Sequence, residues 1–196
     1  MSSPTLAPRS ALHGASLPAT TEIKIELIEG LTVAHVSARK GRTPALVSSI
    51  REHLKLELPS TPRAIEADGV TILWAGPDQW LVTAPATNAR DLERELAQSL
   101  ADLAAVSDQS DSRTIFRVSG SAAAAVLATG IGIDLHPKAF DEGGVAITSA
   151  AHIGVILWRS TRGPSGGNAY YLACSRSYAH SLADWLIGAC TSAGVH

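Results

Sequence analysis

Gly163-Pro164-Ser165-Gly166-Gly167 matches the G-x-S-x-G spacing with which many hydrolases present a serine nucleophile. That chemistry needs a strained turn from a strand into a helix, so that the hydroxyl stands clear of the sheet. Here the flanking residues read as two strands, which makes the segment a hairpin loop. Seven histidines offer bases or metal ligands, yet no pair has the H-x-x-x-H spacing that sets two imidazoles on one helical face, and none neighbours a cysteine. His53 reads as helical, His35 and His152 as strand residues and His136 as part of a loop before Pro137, and each is expected to be a hydrogen-bonded structural group. Gly130-Ile131-Gly132 is followed by Leu135 where a dinucleotide fingerprint needs Gly or Ala, and no P-loop lysine pattern occurs. Cys174 and Cys190 are far apart and read as small buried hydrophobes of a reducing compartment. The residue pattern therefore assigns no catalytic, cofactor-binding or metal-binding residue.

Two clusters suggest recognition instead. Arg39-Lys40-Gly41-Arg42 stands directly before a helix that starts near Pro44, crowding three cations at the positive end of a helix dipole. Two readings stay open, a site for an anion or an acidic protein patch and a solvated loop. Cys174-Ser175-Arg176-Ser177-Tyr178 precedes the last helix, which carries Trp185; Arg, Tyr and Trp are common interface anchors, although Trp185 lies between Leu182 and Leu186 and reads as core.

The elements that must position these groups follow from the apolar pattern. With 196 residues, 45% of them hydrophobic, the chain is long enough to bury its own core. Its net charge of −2 provides no basic field for phosphate backbones, so no nucleic acid partner is expected. Residues 1–20, with Pro4, Pro8 and Pro18, have no periodic apolar face and should form an extended arm outside the core. They also lack the basic and apolar regions of a secretory signal, and no run reaches membrane-span length, so no membrane association and a cytoplasmic location are expected. From residue 21 onward a single domain is expected. Ile23, Ile25 and Leu27 alternate, and a second strand runs from Leu31 to Ser37 after a turn at Glu29-Gly30. Thr43 as cap and Pro44 at the first position open a helix with Leu46, Val47, Ile50 and Leu54 on one face, closed by Leu58-Pro59. Strands around Arg63–Glu66, Val70–Trp74 and Trp80–Thr83 are separated by turns at Asp68-Gly69 and Gly76-Pro77-Asp78. Asn88 then caps a helix bearing Leu92, Leu96, Leu100 and Leu103.

The pattern then starts again. Thr32–Ser37 matches Thr114–Ser119 at an offset of 82 residues, Ile72-Leu73-Trp74 matches Ile156-Leu157-Trp158 at 84, and Leu81, Leu92 and Leu96 match Tyr171, Leu182 and Leu186 at 90. Two repeats, about 22–104 and 105–190, each read strand, helix, two or three strands, helix. This predicts an α+β fold with helices packed on mixed or antiparallel sheet, and a shared core that includes Trp74 and Trp158.

Read in order, Val36-Ser37-Ala38-Arg39-Lys40-Gly41, Trp74-Ala75-Gly76-Pro77-Asp78-Gln79-Trp80-Leu81, Asp134-Leu135-His136-Pro137 with Phe140, Leu157-Trp158-Arg159 and Arg176-Ser177-Tyr178 resemble the gamma subunits of heterotetrameric sarcosine oxidase. The resemblance runs from about Leu31 to Trp185, and Arg9-Ser10-Ala11-Leu12 is similar to the start of that family. It implies a fold like the folate-binding domain of aminomethyltransferases and a non-catalytic structural role in a complex that demethylates sarcosine to glycine. The alpha, beta and delta subunits are the implied partners, and FAD, FMN, NAD, tetrahydrofolate and zinc are implied on those other subunits. Arg9, Leu12, Arg39, Lys40, Arg42, His136, Arg176 and Tyr178 are the candidate interface residues. Rival readings are the matching subunit of a related N-methyl amino acid dehydrogenase, a stand-alone folate-binding one-carbon protein and, more remotely, a hydrolase built on Ser165. The folate reading would need an acidic pterin partner, and Asp68 and Asp78 read only as turn residues.

Overall fold

The computed structural model describes residues 9–86, 91–160 and 168–195. The G-x-S-x-G segment at 163–167 and the cap expected at Asn88 lie outside the described residues. In chain order the elements are β1 (Lys24–Ile28), β2 (Leu31–Ala38), α1 (Thr43–Leu54), β3 (Ala64–Ala67), β4 (Val70–Gly76), β5 (Gln79–Pro85), α2 (Leu92–Ser99), β6 (Ala104–Asp108), β7 (Arg113–Ser119), α3 (Ala123–Ala128), β8 (Val145–Ala150), β9 (Ile153–Ser160), β10 (Ala169–Ser175) and, after a 3₁₀ turn at Arg176–Tyr178, α4 (Ala179–Ser192).

The strands form two five-stranded sheets, β1-β7-β10-β9-β8 and β3-β4-β5-β2-β6. Every strand pairing in them is antiparallel. Because side chains alternate across a strand, each sheet presents two apolar faces. In the first sheet Phe116, Val118, Leu157 and Leu172 pack against Val126 and Leu127 of α3 and Leu182 and Leu186 of α4. In the second, Ala34, Val36, Ile72 and Val82 pack against Leu46 and Ile50 of α1 and Leu92 and Leu96 of α2. The opposite faces meet through Val33, Leu73 and Leu81 on one side and Ile115, Ile156 and Trp158 on the other. The layers therefore run helices, sheet, sheet, helices. At one edge the sheets are stitched by backbone hydrogen bonds, Ala64 to Gly143 at 2.7 Å and Val145 to Pro62 at 3.0 Å.

Several local expectations need correction. Glu29-Gly30 is no hairpin: β1 leaves β2 and pairs with β7, while β6, which precedes β7 in the chain, pairs with β2. The residue pair is thus a crossover between sheets, and an alternating strand pattern carries no record of which partner it will take. Residues 9–20 are not wholly outside the core, since Leu12 is 3% exposed in the core beneath the first sheet and Leu17 packs beside it. Trp158 lies between the sheets, but Trp74 is half-buried and belongs to none of the core clusters. The Ile-Leu-Trp match is out of phase: Ile72 faces the helices, Ile156 the other sheet. Leu81 lies opposite Leu73 and Tyr171 opposite Trp158, so the structure equates Leu73 with Trp158, one residue away from the literal match. A single-residue shift reverses every side chain in a strand. The Thr32–Ser37 match is in phase, with Val33 and Ile115 between the sheets and Val36 and Val118 under the helices.

Capping differs too. Arg42, not Thr43, is the N-cap of α1, and the helix ends at Leu54 with Lys55 left-handed at φ 57°, before Leu58-Pro59. Asp91 caps α2 by accepting from the Arg94 N–H at 3.1 Å. His152 sits not in a strand but in the two-residue turn between β8 and β9, where both Ala151 and His152 have positive φ. Asp68-Gly69 makes the equivalent turn between β3 and β4, as its residue types require.

Candidate functional site

The cationic loop is built by the end of β2. The Arg39 N–H donates to the Leu103 carbonyl at 2.8 Å, the Arg42 N–H returns to the Arg39 carbonyl at 2.9 Å, and Gly41 turns the chain at φ +75°. The Arg39 side chain donates from Nε to the Ala101 carbonyl at 3.4 Å. All three cations, Arg39, Lys40 and Arg42, are exposed, and among the described residues no carboxylate pairs with them. A carboxylate does approach the helix start, because the Thr43 hydroxyl donates to Asp78 Oδ1 at 2.8 Å. Asp78 thus supplies part of the negative charge that the α1 N-terminus favours, and leaves the three side chains pointing to solvent.

The opposite end of β2 forms a second feature. There the β1–β2 crossover, the β6–β7 connection, the segment at residues 9–11 and the 3₁₀ turn enclose a groove of about 540 Å³. Ser110 ties the two connections together by accepting from the Val33 N–H at 2.9 Å and donating to Asp108 at 2.6 Å. The Arg176 N–H donates to the Ser112 carbonyl at 2.8 Å, and Arg176 Nη2 donates to the Arg9 carbonyl. The fold therefore brings Arg9 and Arg176 together, 167 residues apart in the chain. Arg113, opposite Ser175 in the β7–β10 register, joins them in the groove wall. Thr114 also borders the groove, but its hydroxyl is fully buried without a hydrogen-bond partner on the helix side of the sheet, the face it shares with Cys174. Neither Arg113 nor Thr114 stands out in the sequence, since only the strand register sets them beside Arg176.

The remaining interface candidates lie elsewhere. Leu12 serves this chain's own core. His136 is exposed, with Nδ1 accepting from the Lys138 N–H at 3.2 Å and its own N–H donating to Asp134 at 2.8 Å. Tyr178 is 52% exposed and, with Ile147, is one of the exposed large hydrophobic residues.

The buried polar groups are structural. Arg117 in β7 pairs with Glu26 of β1 at 2.6 Å, and Lys24 binds the other Glu26 oxygen at 2.7 Å. The Lys24 hydrogen bond is the largest influence on the Glu26 carboxyl; burial opposes it, and Arg117 adds to Lys24 in holding the carboxyl below its ordinary range. Arg159 donates to the Phe140 carbonyl at 2.9 Å and to Asn168 at 2.7 Å. Burial pushes the Cys174 thiol up to about 11, so it is protonated and unreactive at neutral pH. One arrangement resembles a hydrolytic triad, with His53 Nε2 3.0 Å from Glu95 and 3.5 Å from the Ser99 hydroxyl. Both contacts use the same ring nitrogen, whereas a triad needs the carboxylate on one nitrogen and the nucleophile on the other. The Ser99 hydroxyl is moreover directed to the Glu95 carbonyl at 2.8 Å. Among the described residues no group of three or more His, Cys, Asp or Glu is arranged to hold a metal ion, and no helix is long and apolar enough to cross a membrane.

Comparison with known proteins supplies the identification. The model of the sarcosine oxidase gamma subunit family matches residues 39–192. The chain belongs to this family. It is 30% identical over 187 residues to the sarcosine oxidase subunit gamma of Corynebacterium sp. (strain P-1), covering 93% of this chain and 88% of that one. The Arthrobacter sp. subunit is 35% identical over 126 residues, which is 64% of this chain and 59% of that one. The structure is also similar to a chain of heterotetrameric sarcosine oxidase from Corynebacterium sp. U-96, with a TM-score of 0.76 and 26% identity over 92% of this chain and 90% of that chain. Aminomethyltransferase T of the glycine cleavage system from Bartonella henselae shares the fold alone, at TM-score 0.61 and 19% identity over 86% of this chain and 46% of that one. The gamma-family assignment thus agrees with the aminomethyltransferase-like α+β fold expected from the sequence.

Proposed function

We propose that this chain is the non-catalytic gamma subunit of a heterotetrameric sarcosine oxidase, a structural member of the complex that oxidatively demethylates sarcosine to glycine. The observation that carries this reading is the likeness, over 92% of the chain, to a chain of the Corynebacterium sp. U-96 complex. Its companions are alpha, beta and delta subunits in the cytoplasm, and they hold the FAD, FMN, NAD, tetrahydrofolate and zinc. The exposed loop at Arg39, Lys40 and Arg42 faces an acidic patch of a companion, with Arg9, Arg176, His136 and Tyr178 as further contacts. Arg39 and Arg42 suit this role because Asp78 already serves the helix start, so their charge is available to another surface.

Residues 21–196 form one duplicated domain, against whose core Leu12 and Leu17 of the preceding segment pack, and the duplication carries an exchange of first strands. Under the in-phase correspondence, β7, β10, β9 and β8 match β2, β5, β4 and β3, while β1 and β6 each complete the sheet of the other repeat. Co-expression of all four subunits followed by size-exclusion chromatography tests the assignment. The chain should co-elute with the flavoprotein subunits, and alone it should neither oxidise sarcosine nor retain a flavin. Arg39→Glu and Arg42→Glu should reduce complex yield several-fold with the melting temperature of the chain unchanged. Turnover or stable flavin on the isolated chain would overturn the reading, and unchanged yield would remove the loop from the interface.

A further inference from the structure

The groove at Arg9, Arg113 and Arg176 has the composition of a receptor for a specific chemical group. We propose that it docks an extended segment of a companion subunit that presents a carboxylate beside an apolar side chain, the carboxylate meeting Arg113 and Arg176 and the apolar group lying on Leu31 and Ile115. This inference rests on the proposed membership of a multi-subunit complex and names the chemistry of one contact within it.

Charge is the first support. Arg113 is half-buried, and among the described residues no hydrogen bond or ion pair engages its guanidinium. A partly desolvated cation with no counter-ion is unfavourable, whereas a planar guanidinium is the donor best suited to grip a carboxylate with two parallel bonds. Arg176 is also half-buried, and its side chain donates to the Arg9 carbonyl, a dipole that leaves the positive charge unneutralised. Glu29 and Asp111 also line the groove, but both are exposed at its mouth, where water and salt screen them. Three arginines against two exposed carboxylates give the groove a net positive lining.

The second support is shape. At about 540 Å³ this groove is larger than those at Glu66–Tyr171, about 330 Å³, and at Arg63–Ser160, about 240 Å³. Its floor is apolar, and grooves of this kind that pair apolar pockets with a carboxylate grip are a recurring mode of peptide capture.

The test uses the co-expressed complex and this chain carrying Arg113→Glu, Arg176→Glu or Arg113→Lys. Each reversal should weaken retention of the chain on tag-captured companion subunits at least tenfold in physiological salt. Arg113→Lys, which keeps the charge and loses the fork, should fall between. Circular dichroism and melting of the full-length variants establish that folding is intact. Wild-type retention by both reversal variants would overturn the docking cleft while leaving the subunit assignment standing. Failure of the wild-type chain to join any complex would sink both. Native mass spectrometry of the purified complex separates the remaining source of a carboxylate: a small organic acid held by the wild-type complex and lost with Arg113→Glu, assembly unchanged, would also overturn docking.

Discussion

Arg117 is 2% exposed, and its charge is tolerated in the sheet because Glu26 faces it from the neighbouring strand at 2.6 Å. Removing one partner of such a pair costs more than the pair contributes, because the other charge stays desolvated. Glu26→Gln should therefore destabilise the fold by about 2 kcal/mol at pH 7, less than for a fully buried pair because Glu26 itself keeps access to water. Since Lys24 and Arg117 depress the Glu26 pKa in the folded chain, the carboxylate's contribution is fully present above its unfolded value and is lost as pH falls through the folded one. The gap between wild type and variant should begin to narrow as pH falls below the unperturbed Glu value of about 4.3 and go on narrowing toward acid. Denaturant melts of both proteins from pH 7 to pH 3 check this, and a gap constant down to pH 3 would show that the Glu26 charge is not its source.

At the scale of elements, Gly120 shows how a turn after β7 positions α3. It has φ +111°, and a Cβ there would lie 2.2 Å from the Glu22 carbonyl oxygen, which also accepts the Ala122 N–H at 3.0 Å. Gly120→Ala should cost about 2–4 kcal/mol by combining backbone strain with a forced shift of the segment before β1. A melting temperature within a degree or two of wild type would contradict that account. Elements of this kind were unevenly legible in the sequence. The alternation in β2 and β7 and the leucine spacing of α2 placed real strands and helices, because burial on one face fixes the residue pattern locally. Strand partners were not legible: nothing in Lys24–Ile28 distinguishes β2 from β7 as its neighbour, and β6, Ala-Ala-Val-Ser-Asp, carries almost no apolar signal. The literal Ile-Leu-Trp match misled by one residue because identical residue types do not record which face of a strand each occupies. Of the groups in the proposed contacts, the exposed cations Arg39, Lys40 and Arg42 are visible as charge spacing in the sequence, whereas the place of Arg113 beside Ser175 depends on the β7–β10 pairing.

The whole molecule depends on both halves at once. Each sheet takes four strands from one half of the chain and one from the other, and the sheets share the apolar layer between them. Residues 1–103 and 104–196 produced as separate polypeptides should each lack defined near-ultraviolet dichroism and cooperative melting, while co-expression should restore a single transition. Either fragment melting cooperatively alone would show that the exchanged strand is dispensable. The exchange also bears on synthesis at the ribosome. β1 emerges early but its partner β7 begins only at Arg113, so at about 5–20 residues per second β1 stays unpaired for several seconds or longer. The strand residues Ile25 and Leu27 lack their sheet partner for that interval, a window in which early capture by another chain would govern the yield of folded protein.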